Sequence, residues 1–248
     1  MIGTRGGKTG TTIGRMPRGL PTAPVTYALV AACCLVFVLG PGSGLNPVYG
    51  TGDEILVAQR AYFARWGVIP ADLFSGDPGA AVTPATALFI HGTWPHLLGN
   101  MLFLCVFGIM AEERMGRFQF ALFYLCCGYF ALFGYALVHA DSTQTLVGAS
   151  GAIAAVLGAF LYLFPKARVT SVFPFLFFLP LRFPAWMVLP FWALLQWLAT
   201  GQDSQGPGVA YLAHLIGFLV GFVYAWGRCG RTARVRQPAT ATEGDSKP

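Results

Sequence analysis

Charged side chains are scarce in this sequence: Asp, Glu, Lys and Arg make up 10% of its 248 residues, against about 25% in an ordinary soluble domain. With 55% hydrophobic residues and a positive mean hydropathy, that shortage argues against a water-solvated globule and points to lipid as the solvent. The chain also lacks a CxxC pair or any Cys/His cluster, so neither metal nor cofactor is expected. Of its six cysteines, Cys33, Cys34, Cys105, Cys126 and Cys127 lie inside apolar runs and Cys229 follows the last one. They read as small hydrophobes, not as a disulfide framework. Basic residues precede the first apolar run as in a signal peptide, but no clear small-residue cleavage site follows it and further runs do, so it reads as a retained span. No internal repeat and no separate soluble domain is visible.

Runs near the roughly 20 residues needed to cross a bilayer occur at 24–40, 84–111, 117–140, 150–165, 184–200 and 209–227. In the second, the helix proper is expected to start near Trp94. The apolar segment 173–181, bounded by Pro174, Pro180 and Arg182, reads as an interfacial loop, with an extra half-span as the alternative. Six spans put Arg5, Lys8, Arg15, Arg18, Arg114, Arg117, Lys166, Arg168, Arg182, Arg228, Arg231, Arg234, Arg236 and Lys247 on one side. Only Arg60 and Arg65 fall on the other, with Asp53, Glu54, Asp72, Asp77, Asp141 and Asp203. Basic loops face the cytoplasm, so both termini are expected there. The prediction is an all-α polytopic membrane protein. A six-helix membrane domain covers 21–229, with disordered cytoplasmic tails at 1–20 and 230–248 and a long structured first outer loop at about 41–83. Within that loop, Ile55 to Trp66 reads as an amphipathic piece lying in the outer interface. Although the net charge is +6, the charges sit where orientation and anionic headgroups explain them. Membrane lipids, and not nucleic acid, are the expected partners. The absence of organelle-targeting features points to a bacterial plasma membrane; oligomeric state is not legible.

Polar groups inside a membrane are costly and usually functional. The spans running from outside to inside, the second, fourth and sixth, carry His91, His96 and Asn100; Gly148-Ala149-Ser150-Gly151; and His214 near their outer ends. His214 follows Val209 by five residues, or roughly 8 Å into its span. The fourth span is too short for a core about 30 Å thick, so it is expected to begin inside the membrane, at the depth of His214. A serine hydroxyl becomes a nucleophile when a base takes its proton, and imidazole suits that task. At a helix start, free N–H groups and the dipole favour negative charge. An oxyanion formed by attack on a carbonyl would meet the Ser150 N–H, with His96 and Asn100, four apart on one helical face, as further donors. Gly148 would allow the tight turn into the helix and Gly151 close helix contact. Gly217 and Gly221 form a GxxxG face below His214 that would let the sixth span approach the fourth. Glu112 lies sixteen residues beyond His96, about 24 Å along a helix. That is too far to complete a triad, so a dyad is expected, with Glu112 organising the inner turn together with Arg114 or Arg117.

The same residues carry a resemblance. His91-Gly92-Thr93-Trp94-Pro95-His96-Leu97-Leu98-Gly99-Asn100 resembles the HGxxHxxxN motif of the rhomboid intramembrane proteases. Phe107-Gly108 with Glu112 and Gly116 resembles its continuation, Gly148-Ala149-Ser150-Gly151 the GxSG nucleophile motif, and Ala213-His214-Leu215-Ile216-Gly217 with Gly221 the base motif. The resemblance covers about 84–227. It implies a six-span rhomboid-like bundle, a Ser150–His214 dyad, oxyanion-hole roles for His96 and Asn100, a loop-supporting role for His91, and cleavage of single-pass membrane proteins in or beside their spans. The sequence departs from the pattern in two places. Thr83-Pro84-Ala85-Thr86-Ala87-Leu88 stands where many members have Trp-Arg, and Ala154 stands where some have a tyrosine under the base; the base would then take support from the fifth or sixth span. Trp186, Trp192 and Trp197 read as lipid-facing or interfacial, and His139 as a boundary residue. Gln144 and Thr145 read as loop or cavity residues. The fifth span, without ionisable residues, suits a lateral gate by the same resemblance. The competing reading is a non-catalytic rhomboid-like protein that binds or escorts membrane clients. A transporter would need polar groups through the full depth, which are lacking.

Overall fold

The computed structural model of the chain describes residues 22–173, 179–202 and 210–235. Helix α1 (Pro24–Leu39) opens on a proline, whose missing N–H costs nothing at a helix start. No side chain of its own first turn caps it. Helix α2 (Asp53–Trp66), with two acids in its first turn and no buried residue, covers the stretch Ile55 to Trp66. A short apolar helical stretch, Ala80–Phe89, leads to helix α3 (Trp94–Met115), whose start is capped by Thr93 accepting from the His96 N–H. A π turn at Leu104–Gly108 interrupts α3. Gly116, at φ 88°, reverses the chain in a region open mainly to glycine. Helix α4 (Arg117–Val138) follows, then α5 (Ser150–Leu163), α6 (Ala185–Ala199) and α7 (Tyr211–Val235). The last helix runs to Val235, past residue 230, where the disordered tail was expected to begin; the other tail, 1–20, and residues 236–248 lie outside the described residues. Helices α3 and α4 are each long and apolar enough to cross a membrane, while α1, α5 and α6 are apolar but shorter.

Helix α5 is the centre of the bundle. Every residue from Gly151 to Phe160 is buried, as expected of a helix apolar on all faces. Helix α7 lies along it in the same direction: a Cβ on Gly217 would collide with the Gly151 carbonyl, one on Gly221 with the Ala155 carbonyl, and one on Gly158 with the Phe218 carbonyl. Helix α3 runs parallel to both, Phe107 meeting Phe160 edge-on at 5.0 Å. Helix α4 runs against them, with Phe123 4.9 Å from Tyr224 and Gly134 facing Ile216. The like direction of α3, α5 and α7 gathers their N-terminal ends at one end of the bundle.

Two expectations are corrected. The structure is not all-α: β1 (Arg168–Phe173) and β2 (Leu179–Pro184) form an antiparallel hairpin, with Arg168 opposite Pro184 and Phe173 opposite Leu179. Residues 174–178, within the segment read as an interfacial loop, lie outside the described residues. Val169, Thr170, Val172 and Phe173 favour extended backbone. Pro180 and Pro184 are tolerated because each strand of a two-stranded sheet is an edge. Nor does Glu112 answer to Arg114 or Arg117. It is buried and accepts from the N–H groups of Val25 and Thr26 at 3.0 and 2.7 Å and from the Thr26 hydroxyl at 2.8 Å. A carboxylate suits the orphan N–H groups at a helix start, and α1 has no cap of its own.

Candidate active site

The stretch before α5 is held in place by backbone hydrogen bonds. Val68 and Leu146 exchange N–H···O bonds of 2.9 and 2.8 Å, and the Gly148 N–H donates to the Ala87 carbonyl at 2.9 Å. Gly148 has φ 126°, and a Cβ there would lie 2.7 Å from His96 Nε2. Only glycine lets the chain turn into α5 while the imidazole of His96 occupies that space. Ser150 is the first residue of α5, so its N–H has no partner within the helix.

Ser150 Oγ lies 2.7 Å from His214 Nε2, and the His214 ring is 9% exposed. These two side chains, from α5 and α7, share a cavity of about 460 Å³ with His96, Asn100, Gly148 and Gly151. Asn100 is buried, and its Nδ2 has no hydrogen-bond partner among the described residues. An amide donor left unspent beside a hydroxyl and an imidazole is available to a negatively charged oxygen formed there. His96 stands 5.1 Å, ring to ring, from His91, which is itself buried behind it. Gly217 and Gly221 allow the α5–α7 approach on which the pair depends, whereas Glu112 serves α1 and lies apart from the cavity. Thr145 lines the cavity; His139 stacks on Tyr135 at 4.3 Å. Among the described residues, no group of three His, Cys, Asp or Glu side chains could hold a metal.

Two cavity neighbours were missed. Trp192, read from sequence as lipid-facing or interfacial, lines the cavity and stacks on His214 at 6.2 Å and 26°. Trp186 and Trp197, on the same helix, are more than half exposed. Gln196, one turn beyond Trp192, places Oε1 2.8 Å from His214 Nδ1. Its signal was available: an uncharged polar residue in an apolar helix, four positions from an aromatic. Support for the imidazole, expected from the fifth or sixth span, thus comes from the fifth, through an aromatic ring and an amide.

With this geometry in view, the comparisons with known proteins are specific. The rhomboid domain family model matches residues 79–231, the segment that builds the cavity. The chain is 34% identical over 142 residues to "Rhomboid protein 1, mitochondrial" of Saccharomyces cerevisiae, an alignment covering 56% of this chain and 39% of that protein. It is 30% identical over 145 residues to "RHOMBOID-like protein 6, mitochondrial" of Arabidopsis thaliana, covering 55% and 40%. It is 41% identical over 69 residues to "Rhomboid-like protein 11, chloroplastic" of the same plant, covering 27% and 24%. The chain thus spans about two fifths or less of the length of these relatives. A domain match over more than half the chain, through the segment that carries the motifs, makes this chain a member of the rhomboid family of integral membrane proteins.

Proposed function

We propose that the chain is an intramembrane serine endopeptidase that hydrolyses peptide bonds within or next to the spans of single-pass membrane proteins. The observation that carries this reading is the 2.7 Å hydrogen bond between Ser150 Oγ and His214 Nε2. As Ser150 Oγ bonds to the scissile carbonyl carbon, its proton passes to His214 Nε2. The carbonyl oxygen becomes an oxyanion that accepts from the Ser150 N–H, Asn100 and His96. The His214 imidazolium then gives the proton to the departing amine nitrogen as the C–N bond breaks, leaving an acyl ester on Ser150. A water, deprotonated by His214, hydrolyses that ester and restores the hydroxyl.

The proposed setting is six spans (α1, α3, α4, α5, α6 and α7), with lipid around them. Segments 1–20 and 230–248 sit on the cytoplasmic side and the cavity opens to the outer side. The distribution of arginine and lysine along the chain supports this orientation. Wild type, Ser150→Ala and His214→Ala, purified and given a labelled single-span substrate, test the activity. Product is expected from wild type alone, and a fluorophosphonate probe is expected to label wild type and spare Ser150→Ala. Equal cleavage by all three would eliminate the Ser150–His214 dyad, and a folded wild type that neither cleaves nor takes the probe would remove the enzymatic reading and leave a client-binding protein.

A further inference from the structure

We propose that Gln196 is a positioning residue for this reaction, a proposal that rests on the Ser150–His214 reading above. A neutral imidazole has one N–H and one bare nitrogen. If Nε2 accepts the Ser150 hydroxyl proton across 2.7 Å, the ring hydrogen sits on Nδ1. In a ring 9% exposed, that N–H needs an acceptor inside the protein. Gln196 Oε1, 2.8 Å away, is that acceptor, and the bond selects the tautomer with its basic nitrogen toward the serine. Trp192, one turn earlier on α6, stacks along the same ring at 26°. One helix therefore fixes the imidazole both in its plane and on a face, without a carboxylate.

The bond has a kinetic consequence. When His214 takes the proton of Ser150 it becomes an imidazolium, and the Nδ1–H···Oε1 bond becomes charge-assisted and stronger. An interaction that strengthens as the transition state forms acts on kcat and leaves KM alone.

The test compares wild type with Gln196→Met, which keeps length and apolar packing but loses the oxygen, and Gln196→Glu, whose carboxyl still accepts. Three quantities are read: kcat, KM, and the rate at which a small fluorophosphonate acylates Ser150. Gln196→Met is expected to lose about tenfold in kcat and in acylation rate, roughly what one hydrogen bond contributes, with KM within twofold. Gln196→Glu is expected to keep most of both rates. Wild-type rates in Gln196→Met would reduce Gln196 to packing. A rise in KM with unchanged acylation would make it a substrate-access residue, and an equal loss in both variants would deny the acceptor role. Each of these outcomes overturns the proposal while leaving the Ser150–His214 reading intact. That reading fails separately, if wild type and Ser150→Ala behave alike.

Discussion

At position 148 the backbone stands at φ 126° with His96 Nε2 2.7 Å from where a Cβ would be. Gly148→Ala therefore strains the turn into α5 and displaces a ring of the cavity at once. It is expected to slow fluorophosphonate labelling of Ser150 by at least about tenfold, the scale of one strained residue; labelling at the wild-type rate would show that the turn adjusts. Asn100→Ala removes the buried amide whose Nδ2 has no partner among the described residues and is expected to lower kcat about a hundredfold with little change in KM, as loss of one oxyanion donor does. Steady-state cleavage kinetics decide this, and a rise in KM alone would assign Asn100 to substrate binding. The gathering of Ser150, His214, His96 and Asn100 was legible because each is a polar residue in an otherwise apolar run, at matching depth and in recurring motifs. Gln196 was not. It bears no charge, and its effect is exerted on another side chain eighteen positions later, a relation that no local spacing displays.

Among the elements, the α5–α7 pair depends on the absence of side chains. Gly217→Val would drive a side chain into the Gly151 carbonyl, whereas a Cβ at Gly227 meets nothing within 4 Å. Overpacking costs about 1–3 kcal/mol, so Gly217→Val is expected to lower the thermal unfolding temperature and abolish cleavage, with Gly227→Val as the silent control. Equal behaviour of the two would mean that the helices separate without penalty. Glu112 ties α1 to α3 in a similar way. Glu112→Leu leaves the Val25 and Thr26 N–H groups without their acceptor, at about 1–3 kcal/mol for each group left unsatisfied. A fall in unfolding temperature is expected, and an unchanged one would mean that another group caps α1. Helix positions could be read from apolar runs, the start near Trp94 included. The capping role of Glu112 could not, because its partners, two backbone N–H groups and the Thr26 hydroxyl, lie 87 and 86 residues away. The hairpin was not legible because its β-branched residues, Val169, Thr170 and Val172, precede the apolar segment 173–181, which contains none and whose prolines suggest a loop.

For the whole molecule, the proposed orientation places residue 141 outside and residue 235 inside. A phosphatase reporter active only beyond the cytoplasm is expected to work when joined after Asp141 and to stay silent after Val235; the opposite pattern would invert the topology. The arrangement of α6 has a mechanical consequence. Its first turn is tethered to the end of α5, the Ala185 N–H donating to Ala167 and the Trp186 N–H to Pro165, and Ala185 and Leu189 are its buried residues. Pro190, inside the helix, removes one rung of its hydrogen bonding. Beyond it, Phe191, Leu194, Leu195, Trp197 and Leu198 turn large apolar surfaces outward. Were the helix to swing about this tethered turn, Gln196 would lie about 16 Å along the arm. A swing of about 10° would carry that amide roughly 3 Å, beyond hydrogen-bond reach of His214. Anything that pries the arm aside to reach the serine would at the same stroke slacken the grip on the imidazole, and full potency would return only once the arm swings home.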